Sequence, residues 1–191
     1  SEMCIRDRNK GDRVAYKGKN SQEWIAWNIA TNSLGAIWVP MYQDQNKEYC
    51  NHIIEDCQPK VLISDDNNLN IPTITTSIPQ ENSEHISNFV YNPISTLIYT
   101  SGTTGSPKGV MLSNENILSN IQAIHKCFYD LPSSTSVNIL PWAHIYSQTC
   151  ELYYNLLYNH KIALSSSRET FLKECKQINP TTLYLVPRVL E

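Results

Sequence analysis

Hydrophobic and polar positions alternate in short blocks along most of this chain. Asp12 to Tyr16 reads as a strand. Asn20 then offers a helix cap, with Glu23 three residues on as its reciprocal partner. Trp24, Ile25, Ile29 and Leu34 follow at helical spacing, and Gly35 closes the helix. The tryptophans fit core packing of an amphipathic helix better than base stacking. Ala36 to Val39 is a strand stopped by Pro40. Lys47 to Cys57 is a helix with Tyr49, Ile53 and Ile54 on one face, and His52 beside them reads as surface or satisfied core rather than a ligand. Pro59 breaks, and Val61 to Ser64 is a strand running into Asp65 and Asp66, read as solvated turn residues. Residues 67–91 are polar, with one weak strand near Ile71 to Ile74.

The second half repeats the alternation. Thr96 to Tyr99 is a buried strand and Val110 to Leu112 a second short one. Ser113 caps a helix with Ile117, Leu118, Ile121, Ile124 and Phe128 on its apolar face. Leu131 to Ser136 is a turn, and Val137 to Leu140 a strand ended by Pro141. Gln148 to Tyr158 is a helix with Leu152, Tyr153 and Leu156 inward and Glu151 on its surface or pairing a nearby polar group. Lys161 to Leu164 is a strand, and Ser166 with Glu169 boxes the start of a helix reaching Ile178. Thr181 to Val186 is the last strand, and Pro187 opens another helical turn. Strands and helices at this spacing predict an α/β fold with a largely parallel sheet.

The stretch with the clearest chemistry lies between the two central strands, LIYTSGTTGSPKGVML from Leu97 to Leu112. It holds three of the six glycines, Gly102, Gly105 and Gly109, with hydroxyls at Thr100, Ser101, Thr103, Thr104 and Ser106 and one cation, Lys108. Glycines let backbone amides turn inward and approach a ligand closely, and consecutive inward amides form an anion-binding concavity. One ammonium about 4 Å from a phosphate charge gains roughly 4 kcal/mol at an effective dielectric near 20, before desolvation. The composition therefore points to phosphate. A Walker A loop fails on spacing, because it needs G-x-x-x-x-G-K-[ST] opening a helix, and Lys108 is followed by Gly109 and a strand.

Composition narrows the remaining classes. A net charge of −3 with no basic stripe argues against nucleic acid. Cys4, Cys50, Cys57, Cys127, Cys150 and Cys175 have no C-x-x-C spacing, as expected of reduced cytosolic cysteines. No apolar run approaches the roughly 20 residues of a membrane span. Ser1 to Arg8 lacks periodicity and reads as translated adapter sequence, set aside from fold reasoning.

The run YTSGTTGSPKGV resembles the phosphate-binding signature of the adenylate-forming, AMP-binding superfamily. Within it, Leu140 to Leu156 (LPWAHIYSQTCELYYNL) and Asn179 to Glu191 (NPTTLYLVPRVLE) are similar to segments of long-chain acyl-CoA synthetases, as is Gly11 to Tyr42. Two positions depart from the pattern, Asn114 where a His is usual and Pro93 where an acid is common. The resemblance implies that residues 9–191 are part of an N-terminal AMP-binding domain. The rest of that domain and a small C-terminal domain would lie beyond. It implies ATP-dependent activation of a long-chain fatty acid and transfer to coenzyme A, with small-molecule substrates and a cytoplasmic or membrane-peripheral enzyme. It implies nucleotide contacts from Thr100, Ser101, Gly102, Thr103, Thr104, Gly105, Ser106 and Lys108. Thr100 is the first choice and Thr104 the second for a hydroxyl on Mg2+, and His144 with Ile145 would line the junction of nucleotide and acyl pocket. An aryl-CoA ligase and a non-catalytic nucleotide-binding module are the rival readings.

Overall fold

The computed structural model describes residues 9–66, 68–78, 89–101, 106–128 and 133–190, with 101, 128, 188 and 190 as backbone. The chain divides into two compact units, Ser1–Asn114 and Glu115–Glu191.

The first unit is built on a six-stranded sheet. Its strands are β1 (Arg13–Lys17), β2 (Ile37–Met41), β3 (Val61–Ile63), β4 (Thr73–Ile74), β5 (Ile94–Ser101) and β6 (Pro107–Ser113). The order is β4-β3-β1-β2-β5-β6, parallel throughout except for the antiparallel β5–β6 pair. Helix α1 (Gln22–Ser33) connects β1 to β2, and α2 (Lys47–Cys57) connects β2 to β3. Successive strand residues point to opposite faces. Tyr16 and Trp38 accordingly meet Trp24 of α1, with ring centroids 5.1–6.1 Å apart. Ala15, Val39, Met41 and Leu62 instead pack on Cys50, Ile53 and Cys57 of α2. Both faces are covered, which is why the central strands read as apolar runs.

Local details differ from the sequence expectations for identifiable reasons. The cap of α1 is Ser21, not Asn20: its hydroxyl accepts from Trp24 N at 3.1 Å. The buried stripe of α1 is Trp24, Trp27, Asn28 and Thr31, while Ile29 is 54% exposed. Trp27 fixes that rotation by donating its indole N–H to Thr76 O at 2.7 Å. Gly35 does close the helix, at φ +70°. Its amide bonds Asn32 O and the Ala36 amide bonds Thr31 O, the paired bonds of a Schellman motif. Pro40 does not stop β2 but lies inside it, in register with Tyr16. The ladder from β2 to β5 pairs only Trp38 with Thr96, so a missing amide is tolerated there. Asp65 and Asp66 are engaged rather than merely solvated. Asp65 accepts from the Thr75 hydroxyl and from the Thr76 amide and hydroxyl, and Asp66 pairs with Lys17 at 3.2 Å.

The second unit contains α3 (Asn114–Phe128), the parallel pair β7 (Thr135–Asn138) and β8 (Lys161–Leu164), and α5 (Phe171–Ile178) and α6 (Pro187–Leu190). Between β7 and β8 a π-helix, Ser147–Tyr153, continues as α4 (Tyr154–Leu157). Ile117 and Ile121 of α3 pack on Tyr154, and His125 stacks on Tyr158 at 4.0 Å. Leu118 is exposed, and the side chain of Phe128 lies outside the described residues. The strand expected over Val137–Leu140 begins two residues earlier and ends at Asn138.

The π-turn is wider than the 3.6-residue period used to place the inward face. Leu152 is buried as expected, but Leu156 is 45% exposed. Ser166 and Glu169 do not box a helix. Here Thr170 precedes the first helical residue. Glu174 folds the 165–170 segment back by accepting from the Ser165 hydroxyl, the Ser166 amide and the Thr170 hydroxyl. Those bonds, Ser165 first, hold its carboxyl down at about 2. Residues 181–186 form no strand beyond one bridge, Thr182 to Ser136. The amides of Thr181 and Thr182 both converge on Thr135 O, which spoils the alternation a ladder needs.

Candidate nucleotide-binding hairpin and His144 segment

The glycine-rich stretch forms the connection of the β5–β6 hairpin. Residues 102–105, and with them Gly102, Thr103, Thr104 and Gly105, lie outside the described residues, and Ser101 is described by backbone alone. What is described is the pair of strands that carries the loop. Thr100 is in direct register with Lys108, and Ser101 with Pro107. Lys108 therefore sits on a strand rather than in the loop. Opposed residues of an antiparallel pair project to the same face. The Thr100 hydroxyl and the Lys108 ammonium thus share one face, and both residues are exposed, as is Ser106.

The opposite face carries Tyr99 and Gly109. Tyr99 is buried, and its ring lies against Gly109 across the ladder. A Cβ on Gly109 would stand 3.0 Å from Leu97 Cδ1 and 3.1 Å from Tyr99 Cζ. The glycine is favoured there by close packing, not by its φ. The Tyr99 hydroxyl donates to Asp56 of α2. Burial, and then Asp56, push that phenol well above its ordinary value, so it stays a donor. Four residues earlier on α2, His52 Nε2 meets Pro107 O at 2.9 Å.

In the second unit, His144 and Ile145 follow β7. His144 is exposed, and its Nδ1 accepts from Tyr146 N at 3.2 Å, which assigns the proton of the neutral ring to Nε2. Ile145 is half-buried. Ser147 ties the segment down by donating to Pro141 O and lying 3.2 Å from His144 O. Asn138 bridges to Leu140 O at 2.9 Å and to Glu151 Oε2 at 2.5 Å, and Ser136 Oγ is 3.4 Å from Oε1. Glu151 is thus no surface charge; it is 1% exposed. Burial pushes its carboxyl up to about 7, against the opposing pull of Asn138, Trp142 and Ser136.

Compared with known proteins, the chain matches the family model described as AMP-binding enzyme over residues 5–191. The chain belongs to the AMP-binding enzyme family. Among curated relatives, the chain is 26% identical over 221 residues to the long-chain-fatty-acid–CoA ligase ACSBG1 of Rattus norvegicus, covering 93% of this chain and 31% of that one. It is 24% identical to long chain acyl-CoA synthetase 3 of Arabidopsis thaliana, covering 95% and 34%. The chain therefore spans about a third of the length of these relatives. Among solved structures, o-succinylbenzoate CoA synthetase (MenE) of Bacillus subtilis superposes with a TM-score of 0.86 at 22% identity, covering 99% of this chain and 53% of that one. That likeness shows the shared mixed α/β fold.

The glycine-rich hairpin connection was legible in the sequence because its signal is local. The partners of three other residues were not. Asp56 and His52 reach the hairpin from a distant helix, and only their i, i+4 spacing on α2 hinted at a common face. The sequence left Glu151 between a helix-surface charge and a partner for a nearby polar group, and its bonds to Ser136 and Asn138 of β7 decide for the second. Among the described residues no group of three His, Cys, Asp or Glu side chains gathers as a metal site, and no helix is long and apolar enough to cross a membrane.

Proposed function

We propose that the protein carrying this chain activates a long-chain fatty acid with ATP and passes it to coenzyme A. Residues 9–191 would supply the phosphate-binding part of its N-terminal domain. In the first half-reaction a carboxylate oxygen attacks the α-phosphorus of ATP, the bond to the bridging oxygen breaks, and pyrophosphate leaves. In the second, the thiol sulfur of coenzyme A attacks the acyl carbon, AMP departs, and the thiol proton is released.

The single observation that carries this reading is the Thr100–Lys108 pair, a hydroxyl and an ammonium on one exposed face at the mouth of the glycine-rich loop. In this role the amides of Ser101 to Gly105, with the hydroxyls of Thr103, Thr104 and Ser106, hold the β- and γ-phosphates. Lys108 offsets the charge of the departing pyrophosphate. Mg2+ bound with ATP would draw charge from the phosphate oxygens. Thr100, and then Thr104, offers it one neutral oxygen, which fits a metal held mainly by phosphate and water. His144 and Ile145 would line the acyl side. The long-chain relatives support this substrate class over an aryl acid.

The test is ATP–pyrophosphate exchange by the full-length protein with palmitate and with an aryl acid. Exchange should follow palmitate, and Lys108→Ala should lower it by one to three powers of ten, the scale of one lost preorganised donor. Faster exchange with the aryl acid would overturn the fatty-acid assignment. Unchanged exchange in Lys108→Ala would overturn the phosphate role.

A further inference from the structure

Helix α2 holds the nucleotide hairpin by both of its strands. Asp56 takes the hydroxyl of Tyr99 on β5, one residue before Thr100. His52 Nε2 meets the carbonyl of Pro107 on β6, one residue before Lys108, at 2.9 Å. The two side chains are four residues apart on α2, so they lie on one face, a single turn from each other. The helix itself is fixed by Cys50, Ile53 and Cys57, all buried against the sheet. Gly109 adds to the arrangement, because its missing side chain leaves room for the Tyr99 ring against β6 while the ring's hydroxyl reaches Asp56.

A hairpin strand at the edge of a sheet is free on one side and frays toward its connection. β6 is such an end strand in this sheet. Without a tether, the backbone bearing Lys108 would sample a spread of positions, and an ammonium on a flexible stem would add its own. Binding phosphate would then require ordering both. The His52 contact removes the first of these costs, and the Asp56–Tyr99 contact does the same for the backbone bearing Thr100.

We infer that His52 and Asp56 are positioning residues, whose bonds to Pro107 O and Tyr99 set the register and height of Lys108 and Thr100 toward the nucleotide phosphates. The inference rests on the proposed phosphate role of the hairpin. Neither residue touches the nucleotide; each acts through the backbone it holds.

The experiment compares wild type, His52→Ala, His52→Gln, Tyr99→Phe and Lys108→Ala in the full-length protein. Amide hydrogen exchange at Lys108 to Val110 is read without ligand, and KM for ATP and for palmitate is read in the exchange assay. Gln places an amide N–H near the position of Nε2 and should restore the contact. Expected are faster exchange at those amides in His52→Ala and a rise in KM for ATP of about tenfold, within the range that small misplacements of a binding group cost. KM for palmitate should stay within twofold, and His52→Gln should return both readouts toward wild type. Tyr99→Phe should raise KM for ATP as well, and it decides the matter if His52→Ala fails to fold. Unchanged amide exchange, or a KM for ATP unchanged in both His52→Ala and Tyr99→Phe while Lys108→Ala remains impaired, would overturn the positioning role and leave the phosphate reading standing. A Lys108→Ala variant with normal ATP kinetics would instead remove the phosphate reading, and the exchange data would still report whether the tether exists.

Discussion

Replacing Glu151 with Gln tests whether a buried carboxyl governs the pH response of the second unit. Glu151 is 1% exposed and its carboxyl is pushed up to about 7, mainly by burial. Its ordinary value is 4.5. Between those two values the folded state binds a proton that the unfolded chain has released, so stability falls as pH rises. The penalty begins above the unfolded value and is complete once pH passes the folded one. Integrating from pH 5 to pH 8 gives a loss of about 2–3 kcal/mol, at about 1.36 kcal/mol per unit of pKa difference. Gln keeps an oxygen for Asn138 Nδ2, bound here at 2.5 Å, and cannot ionise. Urea unfolding of both proteins across pH 5–8.5 isolates the effect, because every other titration is common to the pair. The stability difference should grow in favour of Glu151→Gln by about 2–3 kcal/mol over that range. A difference that stays flat within about 0.5 kcal/mol would mean that Glu151 does not release its proton at a raised pKa in the folded state.

Other outcomes follow from separate features. If His144 borders the acyl side, His144→Ala in the full-length protein should change the ranking of carboxylates by chain length more than KM for ATP; the reverse pattern would refute that placement. Ser21→Ala removes the hydroxyl that accepts from Trp24 N and should cost about 1 kcal/mol in chemical denaturation; an unchanged midpoint would refute the cap. Gly35 sits at φ +70° with Val90 Cγ1 2.7 Å from where a Cβ would be. Gly35→Ala should therefore lower stability by about 1–3 kcal/mol, and a neutral result would mean that the Val90 segment yields freely.

The sequence by itself determined what depends on neighbours along the chain. The period of apolar residues placed α2 and β8 at their observed limits, and the run of glycines and hydroxyls before Lys108 marked the hairpin connection. The same run, being contiguous, was enough to point to the AMP-binding family. Tertiary structure decided what depends on distant partners. Trp27 finds Thr76 O, and this turns α1 so that Thr31 is buried and Ile29 is not. Pro40 remains in a strand because little of β5 asks for its amide. Thr181 and Thr182 spend their amides on one carbonyl, so an apolar, β-branched segment pairs at a single residue. Glu151, polar and helical in sequence, is buried because Ser136 and Asn138 supply hydrogen bonds from β7. His52 and Asp56 reach the hairpin only after β2, α2 and β5 have assembled. Hydrophobic periodicity is a local property and survives in one dimension. Burial of a polar group depends on a partner on another element, and nothing in the local pattern encodes where that partner will be.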